Sequence, residues 1–150
     1  MRKVEFSLIA AVALSIIVLS FNVPGAGILL TVTTLTLAFF YAYLSTAYFN
    51  NISIRRALKK GALYKVSTKH KILATYSGVA IAFALVSVLF QAMHWPSANV
   101  LTVLGILVLL PAILVCIYKI AKGSKNIAYR KSVQRTASYL FVAVCAYIYF

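Results

Sequence analysis

The chain has 150 residues, of which 63% are hydrophobic and only 11% charged, and its mean hydropathy is +0.97. A soluble domain is about half apolar and a quarter charged, so this composition excludes an ordinary water-soluble fold and indicates an integral membrane protein. Fifteen Lys and Arg stand against one acidic residue, a formal charge of +14, and at ~20 residues per crossing the length allows about five spans with no sizeable soluble domain.

Apolar runs predict five helices in an all-α, polytopic arrangement: residues 6–21, 26–49, 72–93, 98–120 and 136–150. The expected organisation is one membrane domain: a hairpin at 6–49, a basic loop at 50–71, a second hairpin at 72–121, a basic loop at 122–135, and a terminal helix at 136–150. The first and last runs are short for a spanning helix and call on flanking residues or local thinning of the bilayer.

Residues 1–27 have the charged start, apolar stretch and small residues of a signal peptide. Retention is the favoured reading, because the segment also matches a later part of the chain. Shifted by 72 positions, residues 9–37 share eight identities in 29 with residues 81–109, and Pro24 falls on Pro96. The expected product is a pair of parallel helical hairpins with the fifth helix outside the duplication.

In the first turn Asn22, Pro24 and Gly25 supply turn chemistry, and in the second His94, Trp95, Pro96 and Ser97 do so. Each proline is placed at the start of a new helix, where its fixed φ and missing N–H cost nothing. Trp95 suits the headgroup level, and His94 the C-terminal end of the third helix.

Along the second helix, Gly27, Thr31, Thr34, Ala38, Ala42 and Ser45 fall within about 80° of one another. Such a stripe of small side chains permits close helix packing, either on another subunit or on this chain's own helices. Pro111 removes the hydrogen bond to Leu107 and predicts a kink in the fourth helix.

Lys and Arg are confined to positions 2 and 3, to seven positions in 55–71 and to six in 119–135. By the positive-inside rule the N-terminus and both basic loops are cytoplasmic and both tight turns face the other side. Residues 52–64, read as a helix, place Arg55, Arg56, Lys59 and Lys60 on one face, suited to anionic lipid in the headgroup layer. Basic residues held at a membrane surface do not point to nucleic acid.

The inventory offers little for catalysis. The chain has no Asp, one Glu and two His, whereas acid–base work needs tunable groups within reach of each other. His70 reads as a solvated residue at a helix start, and both Cys116 and Cys145 as small buried apolar residues. No catalytic, cofactor or metal residue is assigned, and no cofactor is expected. Glu5, beside Lys3, is placed at the cytoplasmic edge, so no buried carboxylate is expected.

Gln91, His94, Trp95, Pro96, Ser97, Ala98 and Gly105 together resemble the N-terminal membrane hairpin of the gliding-motility stator family of Bacteroidota, the L subunit of the Gld motor. Membership would imply an inner-membrane protein that works beside a single-helix partner and uses proton flow. That family carries an intramembrane Glu after its hairpin Gly, whereas here Gly105 is followed by Ile106, Leu107, Val108 and Leu109. The resemblance implies the hairpin and speaks against the motor activity. The expected role is a non-catalytic accessory subunit of a bacterial inner-membrane complex, with other integral membrane subunits and anionic lipids as partners. A transporter or channel component is the alternative, and a membrane enzyme comes third.

Overall fold

The computed structural model describes residues 2–50, 52, 67–122 and 127–149, and all the regular structure among them is helical. The helices are α1 (Arg2–Ser20), α2 (Ala26–Phe49), α3 (Thr68–Ala92), α4 (Ala98–Ala121) and α5 (Ile127–Tyr149). The first four are each long and apolar enough to cross a membrane. The loop residues Arg55, Arg56, Lys59 and Lys60, expected on an amphipathic helix, lie outside the described residues.

Three helices start earlier than the apolar runs suggest. Helix α1 begins at Arg2, α3 at Thr68, and α5 at Ile127 rather than at 136. Hydropathy marks where hydrocarbon-compatible side chains end, but a helix stops only where its backbone bonding is interrupted. Residues 127–135 contain no Gly or Pro, so α5 continues through Arg130, Lys131 and Arg135 into its apolar part.

Helix α3 is the centre of the bundle and packs on α2, α4 and α5, while α1 packs chiefly on α2. Leu37, Tyr41, Phe49, Ile81, Leu85 and Leu109 belong to the main core. The α2–α3 contact depends on Gly78, where an added Cβ would lie 2.2 Å from Ser45 Cβ and 2.5 Å from the Tyr41 carbonyl oxygen. Small residues allow such approach where no hydrophobic effect drives helices together in lipid.

This contact uses the small-residue stripe of α2. Thr34, Ala38 and Ser45 are buried, Gly27, Thr31 and Ala42 half-buried, and a Cβ at Gly27 would lie 2.8 Å from the Met93 methyl carbon. Ser45 of the stripe thus packs on this chain's own α3 and Gly27 beside Met93 at its end, one of the two kinds of contact the sequence allows.

The two tight turns have the same backbone. Asn22 and His94 have φ of 53° and 51°, and Gly25 and Ser97 have φ of 87° and 65°. The Ala26 N–H donates to the Val23 carbonyl at 3.1 Å and the Ala98 N–H to that of Trp95 at 3.3 Å. With ψ of −7° at Gly25 and 12° at Ser97, each turn follows the type II pattern, with Pro at the second position and a left-handed residue at the third. Pro24 and Pro96 thus sit two residues before their helices, inside the turn, and not at the first helical position as the sequence suggested. Ser15 and Thr33 meet across the first hairpin at 3.2 Å. At the positions 72 residues later, a Cβ on Gly105 would lie 3.0 Å from Ser87 Oγ.

Helix α4 continues through Pro111. Tyr76 of α3 donates to the Val108 carbonyl at 3.1 Å, next to the Leu107 carbonyl whose helical donor the proline removes.

Candidate functional site

Among the described residues, the most concentrated polar chemistry lies where α1, α2 and α5 meet toward the basic end of the bundle. Its centre is Glu5, fully buried. The Tyr41 hydroxyl donates to Glu5 Oε1 and the Tyr48 hydroxyl to Oε2. Arg135 Nη2 donates to Oε2 at 2.9 Å, forming an ion pair, and Arg135 Nε donates to the Tyr48 hydroxyl oxygen at 3.2 Å. The Tyr139 hydroxyl donates to that of Tyr41 at 3.3 Å.

Local helix geometry assembles this group. Tyr41 and Tyr48 are seven residues apart, two turns along one face of α2, and Arg135 and Tyr139 are four apart on α5. The early start of α1 brings Glu5 into its first turn, where the helix dipole favours a carboxylate. The tyrosine rings pack edge to face, Tyr41 lying 6.1 Å from Tyr48 and 5.3 Å from Tyr139 between centroids. An ionised pair removed from water is tolerated when its remaining lone pairs and protons are bonded, and the phenols supply those bonds. Chemically, the cluster holds three helices together and contains a hydrogen-bond chain from Tyr139 through Tyr41 to Glu5.

Sequence reasoning placed Glu5 at the membrane edge and expected no buried carboxylate; the structure overturns the second expectation, since Glu5 is enclosed by its neighbours in the first turn of α1. The usable signal was a lone acid beside an apolar run, which calls for a buried partner. Arg135 was read as part of a loop, and Tyr41, Tyr48 and Tyr139 were not singled out, because the contacts join residues 36 to 130 positions apart.

A second polar node ties the central helix to its other neighbours. Ser132 of α5 donates to Ser77 of α3 at 2.8 Å, and the Cys116 thiol of α4 donates to Ser132 at 3.5 Å. Thr46 and Thr75 meet at 2.8 Å between α2 and α3. Cys116 is buried as expected, whereas Cys145 is exposed, on a face of α5 turned away from the bundle. His70 is half-buried with its ring 5.0 Å from that of Tyr129, so it is not simply a solvated residue.

The remaining sequence candidates are turn residues. His94, Trp95, Pro96 and Ser97 are exposed around a shallow depression beside Gln91 and Asn99, and Gln91 Nε2 donates to Asn99 Oδ1 at 2.9 Å. His94 lies beyond the end of α3, in the left-handed conformation. Trp95 packs its edge on Phe90 at 4.8 Å. Asn22, Pro24 and Gly25 form the equivalent exposed turn. Neither turn contacts the Glu5 cluster, and among the described residues no group of three or more His, Cys, Asp or Glu is placed to hold a metal.

No family model matches the chain, and neither a curated protein nor a solved structure does. None of these comparisons links the chain to the gliding-motility stator family. Among the described residues the protein is all-helical, with four helices long and apolar enough to cross a membrane, and its polar centre is the Glu5–Tyr–Arg135 cluster.

Proposed function

We propose that the chain is a non-catalytic structural or accessory subunit of a bacterial inner-membrane complex, acting through helix–helix contacts. The observation that carries this reading is the use made of Glu5. Its carboxylate accepts from three donors on two other helices, which commits the one acidic group of the chain to holding the bundle together. The outward face of α1, with Phe6, Leu14 and Ile17 exposed, is the surface offered to another membrane subunit. In this reading the basic end faces the cytoplasm, by the positive-inside rule.

Mild-detergent purification from the source membrane tests the proposal. A membrane partner in fixed stoichiometry, lost when Leu14→Ala and Ile17→Ala are combined in a variant of unchanged thermal stability, is the expected result. A monomeric, partner-free wild type refutes it. Orientation is read separately: a thiol placed at Ser97 on a Cys-free background reacts with an impermeant reagent from outside, and one at Ser67 does not.

The matched geometry of the two turns favours a second reading, a transporter or channel component built from parallel repeats. Proteoliposomes separate the two. A subunit leaves a pH gradient intact, whereas flux abolished by Glu5→Gln in a folded protein favours transport.

A further inference from the structure

Beyond the Glu5 cluster, α1 and α5 separate. Their contact is too slight to rank among the principal helix packings, and an apolar cavity of about 220 Å³ lies between them, floored by α2 and α3. Ile9, Val12 and Ile16 line it from α1, Leu85 and Leu89 from α3, and Val142 from α5. The α1 residues continue the helix face that carries Glu5, and Val142 continues the face of Arg135 and Tyr139. The cavity therefore begins where the ion pair ends and runs toward the two tight turns, where Leu30, Leu89 and Ala92 close it with Leu19 and Met93.

Size and chemistry narrow the occupant. A dry apolar cavity of ~150 Å³ takes a benzene molecule, so this one holds a run of methylene groups. It is too small for a helix, whose diameter with side chains is ~10 Å. Water is unsuited to such walls, since a buried water needs two to four polar partners. Charge supplies the other half of the argument. The chain carries +14, and among the described residues Lys3, Lys69, Lys71, Lys119, Lys122 and Arg130 lie near the helix ends on the same side of the bundle as Glu5. Arg135 is 24% exposed and lies one turn before the cavity-lining Tyr139 on α5, and Lys131 lies one turn before Arg135 on the same face.

We propose that this cleft is a binding site for one hydrocarbon chain of an anionic phospholipid, with its headgroup beside Lys131 and Arg135 at the basic end. The lipid completes the bundle where α1 and α5 fail to meet. The site is separate from the subunit reading, which uses the neighbouring outward face of α1 with Phe6, Leu14 and Ile17, so either can fail without the other.

Native mass spectrometry of the full chain, released from nanodiscs containing equal amounts of anionic and zwitterionic phospholipid, is the test. The wild type is expected to retain one anionic phospholipid. Val142→Trp, which fills the cleft from its open side, is expected to lose it while keeping its melting temperature. Ala13→Leu fills the cleft from α1 and serves if the tryptophan variant does not fold. Lys131→Gln is expected to keep a bound lipid but to lose roughly fivefold in preference for the anionic class, the equivalent of ~1 kcal/mol per basic residue at an anionic surface. Full retention of lipid by folded, cleft-filled variants overturns the proposal, as does equal retention of both lipid classes by the wild type or an unchanged preference in Lys131→Gln.

Discussion

Replacing Glu5 with Leu removes one carboxylate and strands three donors. Tyr41 is fully buried and keeps only its contact with Tyr139, while Tyr48 loses its acceptor. A buried donor left without a partner costs ~1–3 kcal/mol. The Arg135 side chain is 24% exposed and can turn toward the headgroup region, so its share is discounted for solvent screening. The sum is about 3–5 kcal/mol, the range found when one member of a buried ion pair is removed. At ~2–4 °C per kcal/mol for a chain of this size, the melting temperature in mild detergent should fall by roughly 10 °C. Arg135→Leu alone leaves the buried carboxylate with its two phenols and no cation, and should cost a comparable amount. The double variant Glu5→Leu with Arg135→Leu should lose less than the sum of the two single losses, because neither charge is then left without its partner, while Tyr41 and Tyr48 still lack the acceptor they had in Glu5. A Glu5→Leu protein within ~0.5 kcal/mol of wild type, the range of an ordinary surface change, would refute this reasoning, as would single losses that simply add in the double variant.

The two turns provide a matched pair of tests. Ser97→Gly should raise stability by about 0.5 kcal/mol, since a non-glycine residue at a left-handed position costs ~1–2 kcal/mol and glycine's extra backbone entropy offsets part of the gain. Gly25→Ala should lower it by about 1 kcal/mol on torsional grounds alone, because an added Cβ there meets nothing within 4 Å; thermal unfolding of both variants reads the signs. Gly78→Ala should destabilise by at least ~1–3 kcal/mol through overpacking, since the added carbon meets the Tyr41 backbone and Ser45 Cβ; unchanged unfolding would show that α2 and α3 are not so closely packed. Thr34→Val should be neutral or stabilising by up to about 1 kcal/mol, because the buried Thr34 hydroxyl has no hydrogen-bond partner among the described residues; a clear loss of stability would reveal an acceptor at that hydroxyl.

Much of the fold was legible in single residues and short runs. The cost of placing each side chain in hydrocarbon is a local quantity, so the number of helices, their order and the class of protein follow from composition and spacing. Turn chemistry is local too. Pro24 with Gly25, and Pro96 with Ser97, marked both tight turns, although not the type II geometry that keeps each proline outside its helix. Where hydropathy and helix-forming capacity diverge, the reading failed, and α5 accordingly begins at Ile127 within what looked like a basic loop.

The candidate site was hidden for a different reason. Glu5 beside Lys3 has the local pattern of a residue at a membrane edge, and nothing within its own helix indicates otherwise. Its burial depends on Tyr41, Tyr48 and Arg135 arriving from helices elsewhere in the chain. The small-residue stripe of α2 likewise states only that something packs closely there, and it is the position of Gly78 that makes α3 the neighbour. By itself the sequence determined which segments are apolar enough to cross a membrane and where the chain reverses, because those properties are set residue by residue against lipid and water. Only the tertiary structure decided which faces meet, which polar groups satisfy one another and where α1 and α5 leave a cleft, because those outcomes depend on pairing between helices that local pattern does not encode.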